Sequence, residues 1–260
     1  MIRSLWTAAT GMQAQQLEQD VVANNLANVN TVGFKKSRAD FQDLMYQLSS
    51  KAGSETSSGN QMTVGIEVGM GVKPVATQKM FSQGDYQSTG NPFDWAIEGD
   101  GFFQLDNNGE TVYTRAGNFK INKDGVVCTT EGLKLIPEVS VPADTVTFTL
   151  DSGGTWTASD ANGKALATGR LELAKFINPA GLTGMGRNLF AQTEASGEAV
   201  TGNPGENGMG TTSQSFLEMS NVNVVDEMVK MIVGQRAYEI NSKAITTADN
   251  MLEVTNNLKR

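Results

Sequence analysis

Apolar side chains recur every seven residues near the C-terminal end: Val224, Met231, Tyr238, Ile245 and Leu252, with Met228 and Ile232 widening the stripe. A sustained period of seven predicts a long helix with a coiled-coil seam. Asn223 is placed to cap it, and Asp226 and Glu227 put negative charge in the first turn, where the helix dipole favours it. Lys259 and Arg260 close the other end with the matching sign. The companion positions Gln235, Ser242 and Asp249 are polar, so this is not a dry two-stranded zipper. A helix of this length spans about 55 Å at 1.5 Å per residue, and a compact domain of this size cannot cover it alone. It needs a partner of similar length.

The N-terminal end supplies one. Ile2, Leu5, Ala9 and Met12, then Val22, Leu26 and Val29, fall at helical spacing. Residues 1–48 contain no proline, and only Gly11 and Gly33 as glycines. The pattern predicts a helix of roughly 40 Å that stops near Asn30, where "NTVGF" brings a β-branched pair and a glycine. Four asparagines, Asn24, Asn25, Asn28 and Asn30, crowd its end, although asparagine is a mediocre helix former. The tripeptide "NVN" occurs at 28–30 and again at 221–223, where the two predicted helices end and begin. In a helical hairpin those points lie close together.

Between the ends the period changes to two. "TVTFTL" (145–150) alternates Val146, Phe148 and Leu150 with threonines, and "GRLELAKF" (169–176) alternates Leu171 and Leu173 with polar residues. Asn108-Gly109 and Asp124-Gly125 sit between strand-like runs as hairpin turns, and Gly153-Gly154 and Asn162-Gly163 mark two more. The expected fold is α+β: long N- and C-terminal helices paired as a coiled-coil-like stalk, with an inserted all-β antiparallel domain. The expected boundaries are 1–48 and 214–260 for the helical domain and 82–200 for the β domain. Residues 49–81 and 201–213 read as connecting segments, being rich in glycine and serine at "SSKAGSETSSGNQ" and "TGNPGENGMGTTS".

Composition narrows the chemistry. The 260-residue chain carries a formal net charge of -8, so it has no electrostatic reason to seek nucleic acid or an anionic membrane. The basic cluster Lys35, Lys36 and Arg38 reads as a solvated face. No histidine is present, which removes the commonest general base, the Ser-His and Cys-His pairs and imidazole zinc sites. One cysteine, Cys128, forbids an intramolecular disulfide. Glu98 and Asp100 are close in sequence, but a strand end and a turn explain them. The glycine clusters at 64–72 and 205–210 lack the ending of a phosphate loop. No catalytic, cofactor-binding or metal-ligating set emerges. There is no run of about 18 apolar residues, and polar residues interrupt the N-terminal apolar stretch before a signal-peptide core forms.

"LWTAATGMQAQQLEQDVVANNLANVNTVGFKK" resembles the N-terminal motif of the bacterial flagellar rod and hook axial proteins, and "SNVNVVDEMVKMIVGQRAYEINSKAITTADNML" resembles their C-terminal motif. "FSQGDYQSTGNPFDWAIEGDGFFQL", "YTRAGNFKINKDG", "FINPAGL" and "GENGMGT" resemble the distal-rod members of that family, with Trp95 standing where a smaller aliphatic residue is expected. The resemblance implies a non-enzymatic subunit that polymerises helically with itself into the distal rod, the drive shaft that passes motor torque to the hook. It implies export unfolded through the flagellar apparatus without a cleaved signal peptide, and a periplasm-spanning location in the basal body. The implied partners are proximal rod proteins, the hook protein and the peptidoglycan-ring and outer-membrane-ring proteins, with no nucleic acid and no membrane insertion. Alternatives are a proximal rod or hook subunit, or a stalked β-domain cell-wall binding module.

In such a polymer many helix side chains face neighbouring copies. Asn24, Asn25, Asn28 and Asn30, with Gln13, Gln15, Gln16 and Gln19, would offer neutral donors and acceptors across copies without burying charge. Gln235, Asn241 and Ser242 would answer from the C-terminal helix. Leu5, Met12, Leu26, Val224, Met228, Met231, Tyr238, Ile245 and Leu252 would supply the apolar contacts of the helical core. Residues 49–71 are expected to order on assembly.

Overall fold

The structure is a computed structural model that describes residues 2–51, 53 and 63–257. Lys259, Arg260 and most of the stretch 49–61 lie outside the described residues. The chain forms two compact units. Unit 1 gathers Met1–Leu26, Ser37–Gln78 and Val224–Arg260, and unit 2 gathers Ala27–Lys36 and Lys79–Asn223. Helices at both termini and an antiparallel β body between them make the fold α+β.

Unit 1 contains the two long helices, α1 (Ile2–Ala27) and α2 (Val224–Asn257). The start at Val224 leaves Asn223 at the N-cap position, with Asp226 and Glu227 in the first turn. α1 stops three residues before Asn30; Thr31 then donates its backbone N–H to the Asn28 carbonyl at 3.1 Å and begins the turn to Gly33. Four short strands accompany the helices: β1 (Ser37–Asp43), β2 (Tyr46–Ser50), β3 (Ile66–Gly69) and β4 (Val72–Lys79). β1 pairs with β4, and β2 pairs antiparallel with β3. Part of the sequence read as a connecting segment is therefore strand. Backbone pairing, which glycine-rich composition does not advertise, orders it.

Unit 2 begins its strands with β5 (Tyr86–Ser88), β6 (Trp95–Glu98), β7 (Phe102–Asn107) and β8 (Glu110–Thr114). β9 (Lys120–Ile121), β10 (Val127–Cys128) and β11 (Lys134–Ile136) follow, then β12 (Thr147–Leu150), β13 (Thr155–Ser159), β14 (Ala165–Arg170) and β15 (Leu173–Lys175). The series ends with β16 (Thr183–Gly186), β17 (Leu189–Ala191), β18 (Val200–Gly202), β19 (Thr211–Gln214) and β20 (Phe216–Glu218). The largest sheet runs β16-β17-β8-β7-β11-β10-β9, with β15 on β7 and β18 on β15; β12-β13-β14 form a second. Asn108-Gly109 joins β7 to β8 with φ of 56° and 91°, the doubly positive backbone that a two-residue hairpin turn needs. Residues 201–213, read from sequence as a linker, belong to the β body: β18 pairs with β15 and β19 with β6.

β7 shows how the core is divided. Successive residues point to opposite faces of a strand. Phe103 and Leu105 enter a core with Trp95, Phe119, Phe148, Trp156 and Leu173, while Phe102 enters a smaller cluster with Tyr113, Phe176 and Phe190. Trp95 is fully buried, stacks on Phe148 and donates its indole N–H to the Pro92 carbonyl at 2.9 Å. The bulk that looked out of place in the sequence is core volume with its polar atom satisfied.

Candidate self-assembly surface

The helices of unit 1 pack antiparallel. Gly11 lies against Asn241 and Gly234 against Gln15 and Gln19, while Asn25 bonds Glu227, so rising numbers on α1 meet falling numbers on α2. Two of these contacts are glycines, where a missing Cβ lets the backbones approach. A Cβ at Gly11 would sit 3.0 Å from Asn241 Nδ2, and one at Gly234 would sit 3.4 Å from Gln15 Oε1.

The seam on α2 is Glu227, Gly234, Asn241 and Ala248, each seven residues after the last, lying beside the apolar row that begins at Val224. This corrects the expected companion row: Gln235 and Asp249 are exposed and Ser242 is only half-buried. The true companions are three residues after each apolar position, not four, and small or polar side chains fill them. A small seam permits a close helix pair, and it leaves little apolar area inside it.

Asn25 is 1% exposed and fully engaged within its own chain. Its Nδ2 donates to Glu227 Oε2 at 3.1 Å and to the Ser37 carbonyl at 2.9 Å, and its Oδ1 accepts from the Ser37 N–H at 2.9 Å. Glu227 is equally buried and also meets Lys230 Nζ at 2.6 Å. An isolated buried carboxylate is costly, and this one has an amide and an ammonium as partners. The expectation that Asn25 bonds across copies is thus replaced by an internal role: it ties α1, α2 and the start of β1 together.

The other sites expected from sequence separate into two groups. Leu5, Met12, Leu26, Val224, Met231, Asn241, Ile245 and Leu252 are half-buried, and Asn28 is too, its Oδ1 accepting from Thr31 Oγ1 at 3.2 Å. Gln16, Asn24, Asn30, Met228, Gln235 and Tyr238 are exposed.

A second surface was missed. Val229, Ile232, Val233, Ile240 and Val254 are 54–66% exposed; at 100° per residue they span an arc of about 100° on the side of α2 turned away from Gly234 and Asn241, with Val233 at its edge on the flank of the helix. Only Ile232 had been noted, as an edge of the inner stripe. The signal was present in "VVDEMVKMIV", where seven of ten residues are apolar: a helix that is apolar on more than one face is normally covered on more than one face. Trp6 on α1 and Tyr46, Leu48 and Ile66 on the β2–β3 ribbon add further exposed apolar area to the same unit. Among the described residues no group of three or more acidic or cysteine side chains is placed to hold a metal ion, and no helix is long and apolar enough to cross a membrane.

Comparison with known proteins meets this surface at both ends. Residues 5–35 match the family described as flagella basal body rod protein, and residues 213–258 match the flagellar basal body rod FlgEFG protein C-terminal family. Residues 96–158 match the flagellar hook protein FlgE/F/G D1 domain. Flagellar basal-body rod protein FlgG of Borreliella burgdorferi is 49% identical over 264 residues, covering 100% of both chains. Its counterpart of Caulobacter vibrioides is 44% identical over 99% of this chain and 100% of its own, and that of Bacillus subtilis 40% identical over 100% of both. The chain belongs to the flagellar basal-body rod protein FlgG family.

Proposed function

We propose that the chain is a non-enzymatic structural subunit of the flagellar basal-body rod that polymerises helically with copies of itself into the distal rod. The observation that carries this reading is the outer stripe of α2. Five branched aliphatic side chains more than half exposed on one face of one helix form a patch that soluble monomers rarely present. The described residues leave this second face of α2 uncovered, and an apolar helix face is normally covered. In the polymer, the outer stripe packs against helices of neighbouring copies, and the exposed Gln16 and Asn24 of α1 and Gln235 and Tyr238 of α2 add polar contacts to them. Many such contacts per subunit resist twisting, which is what a shaft that passes torque to the hook requires. Proximal rod, hook and ring proteins are the neighbours this assignment implies, and the export apparatus is its route.

The test is the double substitution Ile232→Asp/Ile240→Asp in the full chain. Both positions are exposed, so the folded monomer should keep its β-unit melting transition while losing the ability to form sedimentable polymer. In cells the variant should be absent from isolated hook-basal bodies. Polymer of wild-type amount would overturn the reading.

A further inference from the structure

Unit 2 is built from two separate stretches of chain, and three of their four ends meet in one place. Glu218, the last residue of β20, is 1% exposed and binds two buried cations: Lys35 Nζ at 2.6 Å and Arg115 Nε at 2.5 Å. The Gly84 N–H donates to the same carboxylate at 3.0 Å, and the Gly33 N–H donates to the Glu218 backbone carbonyl at 2.8 Å. Lys35 Nζ also donates to the Ser82 carbonyl at 2.7 Å. Arg115 is held in turn by the carbonyls of Ile97, Gly99 and Gly101.

Three residues later, Asn221 repeats the arrangement with a neutral side chain. Its Oδ1 accepts from the Lys36 N–H at 2.8 Å, and its Nδ2 donates to the Met80 carbonyl and to Ser82 Oγ, both at 2.9 Å. The Met80 N–H closes the ring on the Lys36 carbonyl at 2.9 Å. The segments around residues 33–36, 80–84 and 218–221 are therefore joined pairwise. The basic cluster that looked solvated in the sequence contributes its Lys35 to the interior.

Burial lowers the affinity of Lys35 for its proton, and Glu218 offsets this only in part. Burial alone would raise the Glu218 pKa, but Arg115 and Lys35 together carry it below the ordinary carboxylate range. Neither cation is comfortable without the carboxylate. Removing one partner of a buried ionic group leaves charge uncompensated in a medium that cannot solvate it.

We infer that Glu218 and Asn221 form a clasp that closes these three ends in a single step, so that the segments around Lys35 and Ser82 become ordered only when residues 218–221 arrive. Lys35 and Glu218 lie 183 residues apart in sequence. The first stretch of unit 2 therefore waits for the last: an incomplete chain leaves Lys35 and Arg115 without their counter-charge and keeps the junction open. The clasp is a completion check built into the fold.

Native-state hydrogen exchange on the full chain tests this with Asn221→Ala. The Lys36 amide loses its own acceptor in this variant and will exchange faster on any reading. The discriminating amides are Gly33 and Gly84, which bond to Glu218 and not to Asn221. The clasp predicts that both exchange at least tenfold faster, while the β7–β8 ladder keeps its wild-type protection. Wild-type rates at Gly33 and Gly84 would show that the ends are held independently and would overturn the inference. Should Asn221→Ala loosen the β7–β8 ladder as well, Ser82→Ala removes a single acceptor. There the clasp predicts the same acceleration at all three amides, and a change at Lys36 alone overturns it.

Discussion

The two units of this chain use their apolar residues in opposite ways. Unit 2 turns them inward: Trp95, Phe103, Leu105, Val112, Phe119, Leu171 and Leu173 are 1% exposed or less. Unit 1 buries alanines, glycine, Asn25 and Glu227 along its helix seam and leaves Ile232, Val233, Ile240 and Trp6 between 58% and 69% exposed. At about 25 cal/mol per Å² of apolar area removed from water, the first arrangement stabilises a monomer, and the second, on the function proposed above, stabilises an assembly. A sequence can thus be ordinary in composition and still divide its hydrophobic driving force between folding and association.

The sharpest way to break this comparison is a single added methyl group. A Cβ at Gly117 would lie 1.6 Å from the Trp95 backbone oxygen, and Trp95 in turn donates its N–H to the Gly117 carbonyl at 3.0 Å. Backbone against backbone has no side chain to swing aside. Gly117→Ala should therefore cost several kcal/mol, at the upper end of single substitutions, because β6 must detach from the core it anchors. Thermal unfolding followed by near-ultraviolet dichroism of the buried tryptophans would show it. A change under about 1 kcal/mol would mean that unit 2 is far less tightly specified than its packing implies.

Asn25→Ala comes next and acts on unit 1. It leaves the Ser37 N–H and carbonyl without their side-chain partner and deprives the buried Glu227 of a donor. The expected loss is about 1–3 kcal/mol, the cost of unsatisfied buried polar groups. Proteolysis within α1 and α2 should accelerate while the β-unit transition stays in place. Equal loosening of both units would contradict the division drawn above.

These two positions also show what the sequence could and could not reveal. The Asn-Gly and Gly-Gly turns, the alternating strands and the terminal helices were legible because each is a local pattern with its own physics. The heptad row from Val224 to Leu252 was legible for the same reason. Its companion row was misread, because Gly234 and Ala248 announce no hydrophobic period and matter only once a second helix stands against them. Asn25 was singled out as unusual, but whether its amide faced a neighbouring copy or Glu227, 202 residues away, is a long-range fact. The burial of Lys35 was invisible for the same reason: a local run of basic residues reads as solvated until Glu218 is brought beside it. Strands β18 and β19 were hidden by glycine- and asparagine-rich composition, since backbone pairing depends on what lies alongside.

The smallest effect is the most exacting, because it repeats the glycine substitution where the comparison predicts tolerance. In Gly11→Ala the new methyl would sit 3.0 Å from Nδ2 of Asn241, the far end of a half-buried flexible side chain that can move by a few tenths of an ångström. Against that crowding stands the helix preference for alanine over glycine, about 0.8–1 kcal/mol in a helix interior. The two nearly cancel, so the monomer should change by no more than about 0.5 kcal/mol, read as the stability of α1 amides to hydrogen exchange. A loss of more than about 1.5 kcal/mol would show a helix pair as rigidly fitted as the β core. The seam would then be a specified interface in its own right, and the proposal that the outer stripe of α2 carries most of the binding energy of unit 1 would lose its support.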